Sequence, residues 1–182
     1  MDASVLVLLA EGCEELEAVT CVDLLRRAEI NVVTAGLDEQ AVTASRGVTL
    51  VPDCALDEAL GAEYDMVVLP GGLPGAEHLA ADARVIDLLQ RMAAVGKYTC
   101  AICAAPTVLA KAGVLAGKRA TCYPGCLDDV PDVTCTGEAV VRDGAVITSR
   151  GPGTAMDFAL ILIEALVGTE KRDRVEQALV RH

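Results

Sequence analysis

The chain has 182 residues, 53% of them hydrophobic, which is enough to bury the core of one domain, and we expect that domain to span residues 1–182. Its formal net charge of −12 would repel a phosphate backbone, and one Phe, three Tyr and no Trp provide no aromatic platform for bases, so nucleic acid is not an expected partner. The first residues lack the basic region of a signal peptide and no apolar run is long enough to span a bilayer, so we expect a soluble, cytoplasmic protein without a membrane partner.

The first half of the chain alternates predicted strands and helices. Residues 4–9 form a continuous apolar run, which is typical of a strand buried on both faces of a parallel sheet. Acidic residues fill the first turn of the helix that follows, and Arg26 and Arg27 fill its last turn, as the helix dipole favours. The further elements expected are a strand over 31–36, an interrupted strand-like stretch over 38–52, a short helix over 56–60, a buried strand over 65–69 and a helix over 83–95.

The second half begins with a central strand that ends at Cys103 and a helix over 106–112. We then expect a strand over 118–122, a hairpin of strands 138–141 and 145–149, and helices over 155–167 and 171–180. The alternation of strands and helices predicts an α/β sandwich whose central sheet is mostly parallel and carries a small β-hairpin.

The turn at Cys103 is the strongest candidate site. An apolar, β-favouring run ends there, Ala104 and Ala105 are small, and Pro106 opens a helical pattern, which together predict a sharp strand-to-helix turn similar to a nucleophile elbow. A thiol at such a turn faces the N–H groups and the positive dipole end of the helix, so we expect the thiolate to be favoured. The alternative is a packed core cysteine, since cysteine is among the most buried residue types.

An acidic cluster follows the first strand and supplies a candidate proton carrier. Ligands of open α/β sheets bind at the carboxyl ends of the strands, where this cluster and Cys103 both lie. We expect Glu11, Glu14 and Glu15 to be solvated charges at the helix start. Glu17 lies one turn further along between apolar neighbours, so it is the carboxyl that we expect to be buried, with a raised pKa, and able to exchange a proton with a group on Cys103.

A glycine-rich turn follows the strand over 65–69. Taken alone, Gly71-Gly72 is ordinary turn punctuation. Opposite a nucleophile, a glycine-rich turn lets its backbone N–H groups approach an oxyanion closely, and the N–H of Ala104 would be the second donor. Neither histidine, His78 nor His182, follows Cys103 directly, so a Cys–His protease dyad has weak support.

The eight cysteines are expected to be free thiols, because the chain is neither short nor expected to be secreted. Cys100 and Cys103, with Cys122 and Cys126, resemble loose zinc-ligand spacing. However, Cys100 lies in a predicted strand whose side chains alternate, so Cys100 and Cys103 should point to opposite sides and we expect no metal site. A thioredoxin-type redox pair is an alternative that requires both thiols to be reachable at a helix start.

At the level of whole motifs, the chain resembles the ThiJ/PfpI superfamily, specifically the branch of the parkinsonism-associated protein deglycase and bacterial ThiJ-like proteins. The stretches that carry the resemblance are LAEGCEELEA (9–18), VDLLRR (22–27), VVLPGG (67–72), AICAAP (101–106) and TSRGPGT (148–154). They occur in family order along nearly the whole chain. The resemblance implies a flavodoxin-like sandwich, a homodimer and chemistry without a cofactor.

The resemblance also implies roles for individual residues. Cys103 takes the position of the oxidation-sensitive nucleophile, Glu17 that of the protonated carboxyl that hydrogen-bonds it, and Gly72 and Ala104 those of the oxyanion N–H donors. Ala104 stands where the protease-like branch has a histidine, which argues against peptidase activity.

Four further positions are implied at the edge of the site. Arg27, Arg46 and Pro152 fall where relatives place residues near the site or the dimer interface. Tyr123 stands where the deglycase has a histidine near the thiol, which leaves Glu17 as the evident acid or base and predicts modest turnover.

Three functions follow from these residues. The first is an enzyme that acts on reactive dicarbonyls or their glycated adducts, of glyoxalase III or deglycase type, with Cys103 as nucleophile and Glu17 as proton carrier. The second is a redox sensor or redox-regulated chaperone of an oxidative stress response, in which Cys103 oxidises to a sulfinate without significant turnover. The third is a partner-binding protein in which Cys103 is merely packed.

Overall fold

The computed structural model describes residues 3–181. Outside the described residues lie residues 1–2 and His182. The prediction about a signal peptide includes residues 1–2, and the prediction about histidines includes His182. The strands are β1 (Ser4–Leu9), β2 (Asn31–Gly36), β3 (Val42–Thr43), β4 (Thr49–Leu50), β5 (Cys54–Ala55), β6 (Met66–Leu69), β7 (Tyr98–Ile102), β8 (Lys118–Ala120), β9 (Val133–Cys135), β10 (Val140–Asp143) and β11 (Val146–Ser149). The helices are α1 (Glu15–Arg27), α2 (Leu56–Ala59), α3 (Gly75–Ala81), α4 (Ala83–Ala94), α5 (Pro106–Lys111), α6 (Ala155–Val167) and α7 (Thr169–Ala178), with a 3-10 turn at Pro152–Thr154.

A seven-stranded sheet forms the centre of the fold, in the order β10-β11-β7-β6-β1-β2-β5. All neighbouring strands in it are parallel except β10 and β11, which form the antiparallel hairpin. The predicted α/β architecture, with a mostly parallel sheet and a small hairpin, is therefore confirmed. Within the part of the chain that the structure describes, no helix combines the length and the apolar character needed to cross a membrane.

Helices cover both faces of this sheet, which explains the continuous apolar run of β1. Val5 and Val7 pack into the layer that contains the buried sides of α1 and α6. Leu6 and Leu8 pack into the opposite layer, which α2, α3, α4 and α5 cover. Because successive side chains of a strand point to opposite faces, a strand between two helical layers must be apolar at every position.

The segments that follow β1, β6 and β7 meet at one edge of the sheet because these three strands are neighbours and parallel. The N–H of Glu14 donates to the carbonyl of Gly71 (2.9 Å), which joins the first two segments. Glycines allow this contact: a Cβ on Gly72 would lie 2.5 Å from the backbone N of Glu14, and a Cβ on Gly75 would lie 2.6 Å from the N of Cys13. The start of α1 is thereby fixed against the loop after β6.

Two elements depart from the predicted pattern. The strand expected over 118–122 ends at Ala120, and it pairs with the unpredicted strand β9 in a separate two-stranded sheet instead of joining the central one. Helix α3 was also not predicted, because Pro74 and Gly75 are turn signals. It forms because Ala76 and Leu79 are buried in the layer that also contains α5, so tertiary packing overrides the local signal.

We predict that Gly12→Ala destabilises the protein more than Gly113→Ala does. Both glycines have positive φ (+81° and +77°), so both substitutions cost about 1 kcal/mol of left-handed backbone strain. A Cβ on Gly12 would also lie 2.5 Å from Cδ of Pro74, whereas nothing lies within 4 Å of a Cβ on Gly113. We expect that overlap to cost about 2 kcal/mol more, measured as the free energy of unfolding in urea. Equal losses would show that the two loops are not held in contact.

Candidate active site

Cys103 lies at the sharp turn between β7 and α5, as the sequence predicts. Its φ is +64°, in the left-handed region that residues other than glycine seldom adopt, at a cost of about 1–3 kcal/mol. Both of its backbone polar groups are bound: its N–H donates to the carbonyl of Ser149 (3.0 Å), and its carbonyl accepts from the N–H of Tyr123 (2.8 Å). The strained turn is therefore held from two sides, and the side chain is mostly buried.

Glu17 is fully buried in the first turn of α1, whereas the carboxylates around it are not. The spacing of α1 places Glu17 on the same inward face as Cys21, Leu24 and Leu25. Its Oε2 accepts a hydrogen bond from the N–H of Gly71 (2.7 Å). Its Oε1 is buried without an N–H or O–H partner, and the carboxyl interacts with the Cys103 thiol. One oxygen of this buried carboxyl therefore has no hydrogen-bond partner among the described residues.

Backbone N–H groups surround the sulfur on the other side. The N–H groups of Gly72 and Ala104 lie near enough to the sulfur of Cys103 to lower the pKa of its thiol, so they favour its ionised form. Only a glycine fits at position 71 between the side chains of Cys103 and Glu17. A Cβ there would lie 2.6 Å from Cβ of Cys103 and 2.8 Å from Oε2 of Glu17. Gly71 was not predicted as a site residue from the sequence. The sequence feature that could have indicated it is that Gly71 directly precedes Gly72 in the glycine-rich turn.

Burial changes the protonation of both side chains. Loss of solvent raises the pKa of Glu17 from its ordinary 4.5 to about 7, although the N–H of Gly71 opposes the change. Burial, the charge of Glu17 and its hydrogen bond raise the pKa of the Cys103 thiol to about 12, against the N–H groups of Gly72 and Ala104. The expectation that the turn by itself favours the thiolate is therefore wrong, because desolvation outweighs the donors at the start of the short helix α5.

The two groups are best described as one acid pair. Two of the causes that raise the pKa of the Cys103 thiol act only while Glu17 carries a charge or accepts from the thiol. When Glu17 holds the proton, those causes disappear, and the N–H groups of Gly72 and Ala104 still favour the thiolate. The thiol of Cys103 therefore ionises more readily when Glu17 is protonated, although burial still opposes its charge.

The remaining acidic residues of the cluster organise the neighbouring hairpin of β3 and β4. Glu11 accepts from the N–H of Thr43 (2.9 Å), and Glu14 accepts from the hydroxyl of Ser45 (2.8 Å). Glu15 accepts from the N–H of Arg46 (2.9 Å). Desolvation opposes the change, but hydrogen bonds from the N–H of Glu15 itself, from Ser45 and from the N–H of Arg46 lower the pKa of Glu15. These three glutamates thus bind the hairpin in addition to facing solvent, whereas Glu17 serves the site.

The structure divides the four peripheral residues into two groups. Tyr123 lies at the rim of the site: its N–H binds the carbonyl of Cys103, and its ring packs beside Gly151, next to Pro152 in the 3-10 turn. Arg27 lies exposed in the last turn of α1, at the other end of that helix from Glu17, and pairs with Asp23 (3.1 Å). Arg46 lies in the turn between β3 and β4.

Within residues 3–181, neither a histidine nor a set of metal ligands accompanies Cys103. Nδ1 of His78 lies 3.0 Å from the carbonyl of Glu11, in the loop before α1. In the same residues, no group of three or more His, Cys, Asp or Glu side chains is arranged to hold a metal ion. The prediction that Cys100 and Cys103 point to opposite sides is nevertheless wrong, because both pack into the same layer. The left-handed turn at Cys103 interrupts the alternation of the strand.

Comparison with known proteins agrees with this geometry. The model of the DJ-1/PfpI family matches residues 3–165. Protein dj-1beta of Drosophila melanogaster is 45% identical over 99% of this chain and 98% of its own length. A protein of Caenorhabditis elegans named glutathione-independent glyoxalase DJR-1.2 is 37% identical over 97% of this chain and 95% of its own length. The crystal structure of Drosophila melanogaster DJ-1beta, 45% identical, superposes with a TM-score of 0.96 and covers 99% of this chain and 98% of that one.

We predict that ionisation of Glu17 makes the protein less stable as pH rises from 4.5 to about 7. The folded protein binds this proton more tightly than the unfolded chain does in that window, so the contribution present below pH 4.5 is lost as pH rises through about 7. The full difference corresponds to about 3 kcal/mol. Glu17→Gln removes the titrating group, so the stability of the wild type relative to this variant should fall across the window, measured by urea unfolding at each pH.

The same comparison in a Cys103→Ala background isolates the carboxyl from the thiol. The relative loss of stability between pH 4.5 and about 7 should persist there, because desolvation is the main cause of the raised pKa of Glu17. Parallel pH profiles with and without the Glu17→Gln substitution would contradict a buried, proton-bearing carboxyl.

Proposed function

The chain belongs to the DJ-1/PfpI family, and from that premise we propose that it is a cofactor-free, cysteine-dependent enzyme acting on reactive dicarbonyls or their glycated adducts. The reaction would be of glyoxalase III or deglycase type. The observation that carries the proposal is the buried carboxyl of Glu17, fixed by Gly71 beside the sulfur of Cys103. The name of the Caenorhabditis elegans relative, a glutathione-independent glyoxalase, supports the same class of reaction.

In the first step, the thiolate of Cys103 attacks the aldehyde carbon of methylglyoxal. The carbonyl oxygen that gains charge takes the proton of Glu17, which gives a neutral hemithioacetal and an ionised carboxylate. The N–H groups of Gly72 and Ala104 stabilise the negative charge on sulfur before the attack. They are then free to bind the oxygen that becomes charged next to it.

In the second step, Glu17 moves a proton between the two adjacent carbons of the adduct. The carboxylate removes the proton from the carbon bound to sulfur and returns it to the neighbouring carbon, while the hydroxyl proton of the first carbon passes to the oxygen of the second, so that the hemithioacetal becomes a thioester of lactate. Water cleaves this thioester, releases lactate and restores the thiol. A raised pKa near 7 suits a carboxyl that must both give and take a proton.

Tyr123 bears on the rate of this reaction. It stands at the rim of the site in the position where the deglycase branch has a histidine, and a phenol exchanges protons less readily than an imidazole near neutral pH. Proton transfer therefore falls to Glu17 alone, which supports the expectation of modest turnover.

We predict that the purified protein converts methylglyoxal to lactate without glutathione, and that the conversion depends on the acid pair. Cys103→Ser should reduce the rate to the uncatalysed background, because the hydroxyl is a far weaker nucleophile. Glu17→Gln keeps the shape of the side chain but cannot carry the proton, so kcat should fall by about 10²-fold or more. Lactate released over time is the measurement.

Cys54→Ser is the matched control for the loss of a thiol. Cys54 lies partly buried on β5, at the edge of the central sheet, away from the loops that meet at Cys103. This variant should keep the wild-type rate. Unchanged lactate production in Cys103→Ser or Glu17→Gln would exclude the proposed enzyme.

A second candidate function is a redox sensor or redox-regulated chaperone that uses the same sulfur. Here Cys103 would oxidise to a sulfinate, whose oxygens the N–H of Gly72 and the proton of Glu17 would bind. The N–H donors directed at the sulfur favour this candidate over a merely packed cysteine. If graded peroxide adds two oxygens first to Cys103, and no lactate is formed from methylglyoxal, the result would favour the sensor. If Cys103 reacts with neither peroxide nor iodoacetamide, both the enzyme and the sensor would be excluded.

We also propose that the protein is a homodimer of the cytoplasm. The exposed side of α1 and the segment around β4 form an apolar face that includes Leu16 (49% exposed), Val19 (50%) and Val51 (78%). Arg46 lies in the turn beside this face, and Arg27 lies on α1. A second copy of the same face would cover it symmetrically. Eight free thiols suit a reducing compartment.

We predict that Val51→Asp yields a monomer, because it places an unpaired charge within the proposed apolar contact. Val95→Asp is the matched control, since Val95 is similarly exposed (72%) but follows α4 on the other side of the sheet. Light scattering should give twice the chain mass for the wild type and the control. A wild type that is monomeric at micromolar concentration would refute the dimer.

A further inference from the structure

Two cysteines outside the candidate active site lie almost in contact. Sγ of Cys122 is 3.7 Å from Sγ of Cys135. Cys135 is paired with Ala120 across β8 and β9, and Cys122 lies two residues beyond Ala120, so both side chains point to the same face of this small sheet. A backbone bond from the N–H of Thr136 to the carbonyl of Ala120 (2.8 Å) continues the pairing and fixes the two cysteines side by side.

The two thiols differ in exposure. Cys122 is buried, whereas Cys135 is exposed. Burial and the neighbouring Cys135 raise the pKa of Cys122 to about 12, so Cys122 is the less reactive of the two toward reagents in solution. Cys126 is near enough to influence Cys122 electrostatically, but the direct sulfur contact of Cys122 is with Cys135.

We propose that Cys122 and Cys135 form a second redox site, separate from Cys103, which hydroperoxides convert into an intramolecular disulfide. A disulfide requires the sulfurs to approach from 3.7 Å to about 2.05 Å. Rotation of the exposed Cys135 side chain can supply that movement, because the contacts of its sulfur with the described residues are the long ones to Cys122 and to the carbonyl of Thr136 (3.9 Å).

The chemistry balances in two steps. The exposed thiol of Cys135 attacks the terminal oxygen of a hydroperoxide, which becomes water or an alcohol, and sulfur is oxidised to a sulfenic acid. The sulfur of Cys122 then attacks the Cys135 sulfur and forms the S–S bond, while the sulfenic oxygen leaves as water with the Cys122 proton. A small dithiol reverses the reaction by exchange. The two thiols thus lose two electrons in total, and no oxygen atom remains on the protein.

This site differs from the sulfinate candidate at Cys103 in its product and its reversibility. A sulfinate retains two oxygens and resists thiol reductants, whereas a disulfide loses two hydrogens and is reduced by them. The sensor role considered for Cys103 and the disulfide site can therefore be tested independently, and neither requires turnover of a dicarbonyl.

The test is mass spectrometry of the full chain in a Cys103→Ser background treated with a few equivalents of hydrogen peroxide. We expect the loss of two hydrogens, recovery of the original mass with dithiothreitol, and a peptide that links Cys122 to Cys135 in a non-reducing digest. Cys135→Ser should abolish the linked peptide, and because Cys135 is exposed this variant should fold normally. Cys126→Ser and Cys54→Ser should leave it unchanged.

Three outcomes would overturn the proposal. One is a link from Cys135 to Cys126 in place of Cys122, and another is a disulfide between two chains at low protein concentration. The third is stepwise addition of oxygen to Cys135 with no linked peptide. Repeating the treatment on the protein with Cys103 present should give the same linked peptide, since the pair does not depend on that sulfur.

Discussion

The hydrogen bond from the N–H of Gly71 to Oε2 of Glu17 is the contact on which the candidate site depends. It connects the first turn of α1 to the loop after β6 and fixes a buried carboxyl beside the elbow that follows β7. Among the described residues, one oxygen of that carboxyl has a hydrogen-bond partner and the other has none, and the carboxyl is close enough to the Cys103 thiol for each group to shift the pKa of the other. The backbone donors divide accordingly: Gly71 favours charge on the carboxylate, whereas Gly72 and Ala104 favour charge on sulfur. Burial, which raises the pKa of both groups, and these opposed donors together decide where the proton resides.

Much of the fold was predictable because burial on both faces leaves a continuous apolar run, as in β1, and the observed bounds of β1 and β2 match the predicted ones. The predictions failed where local signals and packing disagree. Helix α3 begins at two turn-forming residues yet forms because its apolar side is buried. Nothing in the composition of β8, Lys-Arg-Ala, indicates that its partner is β9 rather than a strand of the central sheet. Strand pairing is a property of distant segments, so a single sequence indicates the strand without its neighbour.

The site was predictable in its members and less so in its electrostatics. Glu17 stood apart from the other glutamates by helical spacing, and Cys103 by an abrupt end of the strand, so both could be placed from sequence. The predicted protonation of the thiol was wrong because desolvation depends on how closely the loops pack, which is set by glycine contacts between segments far apart in the chain. The sequence contained that information as a glycine pair, but it did not say which N–H of the pair would hold the carboxyl.

The tight space at Gly71 also has a stereochemical consequence. With Cβ of Cys103 and Oε2 of Glu17 both less than 3 Å from the position that a side chain would occupy, the backbone at Gly71 lies directly against both groups and holds the carboxyl in a fixed place relative to the sulfur. In the proposed reaction that carboxyl returns its proton to a trigonal carbon, which becomes a chiral centre. Delivery from a single side would make the lactate product one enantiomer rather than a racemate. The chirality of lactate would then depend on the lack of a side chain at Gly71.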